Sequence, residues 1–194
     1  MDPYSIVLSI HLVALLLAAM AASVAFYAAL QLRRVSTPAD AARWGRLVGS
    51  VVPVFPATTL TLFGSGAYMT QAQWTWHTPW IDAGLAGLGL IVVCGSGIEQ
   101  TRGRELKREL LTAGMSPRAL RLLRDPYAWS AKMTTLTLIV GIVFVMTTKP
   151  GSVASGATIT AAVGLGVAAA IPFWRPSTTA TDHRRRHSKK PVRT

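Results

Sequence analysis

The sequence predicts an all-α protein, a polytopic membrane helix bundle with five transmembrane helices, its N-terminus outside and its C-terminus cytoplasmic. Three observations lead there. Residues 4–32, 47–69, 80–98, 127–148 and 153–174 are predominantly apolar, each near the ~20 residues that cross a hydrocarbon core of ~30 Å. Nineteen of the 20 Lys and Arg residues fall on one side of that topology, and loops rich in these residues stay cytoplasmic. Helix starts are marked by a repeated local signal, a capping side chain before proline: Asp2-Pro3, Thr37-Pro38, Thr78-Pro79, Ser116-Pro117 and Asp125-Pro126. Proline at the first helical position loses nothing, because its missing N–H has no intrahelical acceptor there, while the preceding oxygen accepts from the first turn.

Composition agrees. Of 194 residues 51% are hydrophobic, which leaves little room for a separate soluble domain. The organisation read from the chain is a transmembrane domain over residues 1–175 and a polar, basic, disordered cytoplasmic tail over residues 176–194. A net charge of +12 on a folded surface would suggest nucleic acid. On membrane-flanking loops it is explained by retention and by anionic lipid headgroups, so no nucleic acid is expected as a partner.

Taken in order, the first span is too long for a cleavable signal peptide and opens on an acid, Asp2, rather than a basic region. The second helix starts near Pro38, with Thr37 and Asp40 as a loose capping box, and Pro53 and Pro56 should kink it. Asp82 stands in the first turn of the third helix, where the macrodipole favours an anion. Cys94, the one cysteine, lies within that span and packs as a small hydrophobe. The loop over residues 99–126 is expected to hold a charged helical extension of the third span, then a short amphipathic helix. In that helix Leu120, Leu122 and Leu123 make the apolar side, and Arg118, Arg121 and Arg124 the basic one. Such a helix suits an anionic membrane surface, and Arg184, Arg185 and Arg186 of the tail are expected to contact lipid likewise. Lys132 can snorkel from the fourth helix to the headgroups.

Inside the bundle no Asp, Glu, Lys or Arg falls near mid-span, which disfavours a proton-driven transporter. Small and hydroxylic residues (Gly64, Gly66, Gly84, Gly87, Gly164, Gly166, Thr134) fit close helix packing. The one histidine within a span is His11, about 12–14 Å below the outer start of its helix. It is either a functional site or a neutral imidazole bonded to a neighbouring helix. Met69, His77 and Met146 share its side of the membrane, and imidazole with thioether suits copper, Cu(I) above all. Haem would need His/Met ligation or a single protein ligand, since His11 has no buried histidine partner. Trp74, Trp76 and Trp80 form an outer aromatic belt.

The run Ser9-Ile-His11-Leu-Val-Ala, the segment Leu62-Phe-Gly64-Ser-Gly66-Ala-Tyr68 and the segment Val145-Met146-Thr-Thr-Lys149-Pro150 together resemble a family of predicted bacterial integral membrane proteins of unknown function. That family is in turn distantly similar to the membrane domain of copper-resistance D proteins. The resemblance covers about residues 5–150. It implies a bacterial inner (plasma) membrane location, copper handling as a theme, and His11 as the position to test.

Three functional readings stand open. One is a non-enzymatic accessory or partner-binding bundle, with a membrane-protein partner or a second copy of itself. Another is a copper- or haem-binding protein whose site in the outer half is built on His11. The last is a small-solute permease using the Thr-rich, Pro-kinked second helix. The sequence has no paired acids, no nucleophile with its base and no phosphate loop, so no catalytic residue is expected.

Overall fold

The computed structural model describes residues 2–35 and 37–174; the predicted tail and Arg184–Arg186 lie outside the described residues. Helix follows helix: α1 Pro3–Leu32, α2 Pro38–Val51, α3 Val54–Gln73, α4 Pro79–Val92, a π-helical segment Val93–Glu99, α5 Gln100–Ala113, α6 Pro117–Leu123, α7 Pro126–Thr148 and α8 Ser152–Trp174. Five runs are long and apolar enough to cross a membrane: Pro3–Leu32, Pro38–Gln73, Pro79–Ala113, Pro117–Thr148 and Ser152–Trp174. The chain is thus a multi-pass membrane helix bundle. Its two ends are called here the basic end, where α1 finishes, and the tryptophan end, where α3 meets α4.

Helix starts follow the cap–proline signal. The N–H groups of Tyr4, Asp40, Ala119 and Tyr127 donate to the side chains of Asp2, Thr37, Ser116 and Asp125. Two details depart from expectation. The Thr37 hydroxyl donates to the Asp40 carboxylate at 2.7 Å, because aspartate is too short to reach back to the backbone N–H as a box requires. Thr78 begins α4 without capping it; its hydroxyl turns back and donates to the Thr75 carbonyl at 2.7 Å.

The second run is interrupted where the prolines predict, between Val51 and Val54. Val52 and Pro53 keep right-handed helical dihedrals. Pro53 and Pro56 supply no N–H, however, and the Phe55 N–H bonds only three residues back, to Val52 O at 3.3 Å. A lost i−4 bond with a tightened turn is the local cause of the interruption.

The helices pack as two groups. α4, α7 and α8 close on one another around Leu138, Val145, Ile159 and Ala162, with glycines at the closest approaches. A Cβ at Gly141 would lie 3.0 Å from the Ala162 methyl, and one at Gly166 would lie 2.7 Å from Thr134 N. The other group is α1 with α2 and α3. Its seam is a seven-residue repeat of small side chains on α1, with Ala14, Ala21 and Ala28 buried. Small residues let backbones approach closely where lipid offers no hydrophobic drive for association. The groups are joined at the basic end by Phe26, Ala29 and Leu30 against Trp129, Met133, Ala170 and Phe173.

Beyond the spans, α6 sits on the basic end with Leu123 buried against Leu32 and Ala41, and with Val35, Trp44, Leu106 and Leu110 around them. The apolar side predicted for this helix is therefore divided. Ala119 and Leu123 are buried, and Leu120 is left exposed.

Candidate functional site

His11 lies on α1 one turn before Ala14, in line with the alanine seam, so its ring is directed at α3. Its Nδ1 is 2.8 Å from Ser65 Oγ. The Ser65 hydroxyl carries one proton and gives it to the Thr61 carbonyl at 2.5 Å, as serines within helices commonly do. With that proton on Thr61, Nδ1–H is the donor to Ser65 and the neutral ring keeps its lone pair on Nε2. With the proton turned to the ring, the roles reverse, so the direction of this bond follows the tautomer. Gly66 gives the ring room, since a Cβ there would lie 3.7 Å from His11 Cε1.

Of the other predicted ligands, Met146 falls elsewhere. Met146 is half-buried in the seam between α4 and α7, its methyl against Gly84. Met69 is half-buried on α3, and His77 is exposed on the turn before α4. The contact that ties down His11 is thus a serine the sequence reading did not single out. Among the described residues, no three His, Cys, Asp or Glu side chains converge to hold a metal ion. A groove of about 590 Å³ runs beside the site between α1 and α3, lined by Ser9, Ile10, Val13, Leu17, Ala57 and Thr61 among others.

A second polar centre was also missed. Lys132 of α7 and Glu99, at the end of the π-helical segment, form an ion pair with both side chains about four-fifths buried, at 19% and 22% exposure. The Gln100 N–H bonds to Gly95 O, five residues back, and this wide turn faces α7. Lys132 therefore binds an acid of its own chain, where snorkelling to headgroups was expected. A partner 33 residues away cannot be read from local pattern.

Two of the loop arginines are likewise paired within the loop. Arg102 pairs with Asp125 at 2.9 Å and with Glu105 at 3.1 Å, and Arg118 lies 3.9 Å from Glu109. At the other end, Lys149 sits over the rings of Trp74 and Trp80 at 4.5 and 5.7 Å, and those rings meet edge to face at 5.1 Å. Two tryptophans of the predicted belt thus also hold Lys149, the single Lys or Arg of their end among the described residues.

No protein-family model matches the chain, and no curated protein or solved structure matches it either, so membership of a family is not among the findings.

Proposed function

We propose that this chain is a non-enzymatic accessory protein of a bacterial plasma membrane, and that its α1–α3 pair receives a membrane partner with His11 as the polar anchor. The basic end faces the cytoplasm in this reading, following the distribution of Lys and Arg. The observation that carries the proposal is the His11–Ser65 pair at 2.8 Å, on a helix pair flanked by exposed Ile10, Val13 and Leu17. α1 is 30 residues long, or ~45 Å at 1.5 Å per residue, and so overhangs a ~30 Å core by ~7 Å at each end. His11 then lies ~6 Å inside the outer boundary, where Nε2 meets no water. A polar atom left in hydrocarbon is costly, and a polar group on a partner helix removes that cost.

A second reading has its own support. Holding Nδ1 at Ser65 leaves Nε2 oriented, which is how outer-shell hydrogen bonds prepare an imidazole for a metal. One imidazole suits a copper or haem site completed by ligands from outside this pair.

The test incorporates a photo-crosslinking residue at Val13 in cells, and compares wild type with His11→Ala and Ser65→Ala. Absorption spectra and copper and iron analysis are run on the same purified proteins. One defined membrane-protein adduct, weakened about tenfold in both variants as expected for loss of a buried hydrogen bond, supports the partner reading. Near-stoichiometric metal or haem that disappears in His11→Ala replaces it with the second. Lipid adducts alone with no bound metal or haem would sink both.

A further inference from the structure

Arg33 follows α1 directly, at the junction of the two helix groups. Its guanidinium lies over Trp129 and Phe173, at 4.9 and 5.2 Å from the ring centres. Those rings are themselves stacked at 4.5 Å. Trp129 is held in turn: its indole N–H donates to the Leu123 carbonyl at 3.0 Å, and Phe26 meets it edge-on. The stack therefore fixes the plane of the guanidinium.

What Arg33 lacks, among the described residues, is an acceptor. Nη1 is buried without a hydrogen-bond partner, and Nε and Nη2, which make no hydrogen bond or ion pair with any described residue either, are the N–H groups left open to an outside ligand. The acids of this end are engaged elsewhere: Asp125 and Glu105 with Arg102, Glu99 with Lys132, Glu109 with Ser116 and Arg118, and Asp40 with Thr37. The charged neighbour that Arg33 does feel is Arg124, of the same sign. Burial first, and then that like charge, press the guanidinium below its ordinary range. An arginine held by its face, with its Nε and Nη2 edge unfilled and a second arginine beside it, has the chemistry of a phosphate receptor.

The surroundings select the source of that phosphate. Leu32 ends the α1 span one residue earlier, Trp129 stands at the end of the first turn of α7, and Phe173 is the last residue but one of α8. Exposed Tyr127 and Trp174, at 69% and 42%, stand at the same end as an interfacial aromatic belt would. Residues 175–194 follow α8 here, with seven basic residues against the single acid Asp182, so their own charge opposes their filling the site.

We propose that Arg33, with Arg124 beside it, forms a discrete site for the phosphate of one anionic phospholipid headgroup in the leaflet at the basic end. The lipid bridges the junction of the two helix groups, so its binding stabilises the assembled bundle. This inference does not depend on the role assigned to His11.

Native mass spectrometry of the detergent-solubilised full chain, titrated with phosphatidylglycerol or phosphatidylcholine, tests it. Thermal unfolding is followed in parallel. One phosphatidylglycerol is expected to bind about tenfold more tightly than phosphatidylcholine, and to raise the unfolding midpoint. Arg33→Gln should abolish that preference, whereas Arg43→Gln, a change at an exposed arginine away from the junction, should retain it. Arg124→Gln, which leaves the aromatic stack intact, should weaken the preference severalfold, and it serves as the test if Arg33→Gln fails to fold. Equal losses in the Arg33, Arg124 and Arg43 variants would mean diffuse surface attraction and overturn the site. Inorganic phosphate at millimolar concentration reproducing the whole midpoint shift would overturn the lipid as its ligand.

Discussion

Replacing Gly166 with alanine is the sharpest probe of how α7 and α8 are held. A Cβ at that position would lie 2.6 Å from Thr137 Oγ1 and 2.7 Å from Thr134 N, and closer still to Thr134 Cα. Comfortable contacts need about 3.5 Å, so the two backbones must part by about 1 Å at this level. Two of the three atoms met are backbone, so no rotamer change relieves the clash. Separation also loosens the Gly141–Ala162 approach and the fully buried Ala170 nearby. Overpacking of this kind costs about 1–3 kcal/mol, and a mid-range 2 kcal/mol shifts the folding equilibrium roughly thirtyfold. The assay is SDS-driven unfolding from mild micelles, followed by far-ultraviolet circular dichroism. Gly164→Ala is the control, because nothing lies within 4 Å of its Cβ position; a change of less than about 0.5 kcal/mol is expected there. Superimposable curves for the two variants would refute the close approach and the packing built on it.

Two further outcomes follow from the charged contacts. Removing one partner of the Glu99–Lys132 pair, by Glu99→Gln or Lys132→Met, should destabilise by about 3 kcal/mol because a largely buried charge is left alone. The double variant should recover most of that loss in the same unfolding assay. At Lys149 the backbone is left-handed, with φ 49°. Lys149→Ala should therefore cost about 1 kcal/mol and change the tryptophan emission, whereas Lys149→Gly, which relieves the backbone, should cost less.

How much of this was legible from residues alone depends on the range of the signal. Helix number and helix starts are local, carried by 20-residue hydropathy and by pairs such as Ser116-Pro117, and they match the structure closely. The break in the second run needed only Pro53 and Pro56. Which helix meets which is not local. The His11–Ser65 bond spans 54 residues, and serine in a hydrophobic run carries no mark distinguishing a partner from a hydroxyl bonded to its own helix. Met69, His77 and Met146 were grouped by depth, but depth says nothing about azimuth, and Met146 faces Gly84 instead. The Glu99–Lys132 pair escaped for a related reason. Glu99 was read as the start of a loop, and a π-helical turn has no composition of its own.

That turn has a bearing on which changes of length the chain can absorb. A residue in an α-helix advances the azimuth by ~100°, and a π turn holds one residue more than the α turn it replaces. Deleting a single residue between Val93 and Glu99 would let the segment relax to α-helix at no cost in hydrogen bonds. Because the shorter α turn closes the same revolution, everything after it would keep its azimuth, with Glu99 still toward Lys132 and Arg102 toward Asp125. The same deletion within Pro79–Val92 has no surplus residue to remove and would swing them round the axis by ~100°. The rest of the third span would remain as apolar as before, so hydropathy would register nothing. The spacing between Thr78-Pro79 and Glu99 is therefore a phase setting as much as a length, and a single-residue deletion within Pro79–Val92 should be tolerated far less well than one within Val93–Glu99.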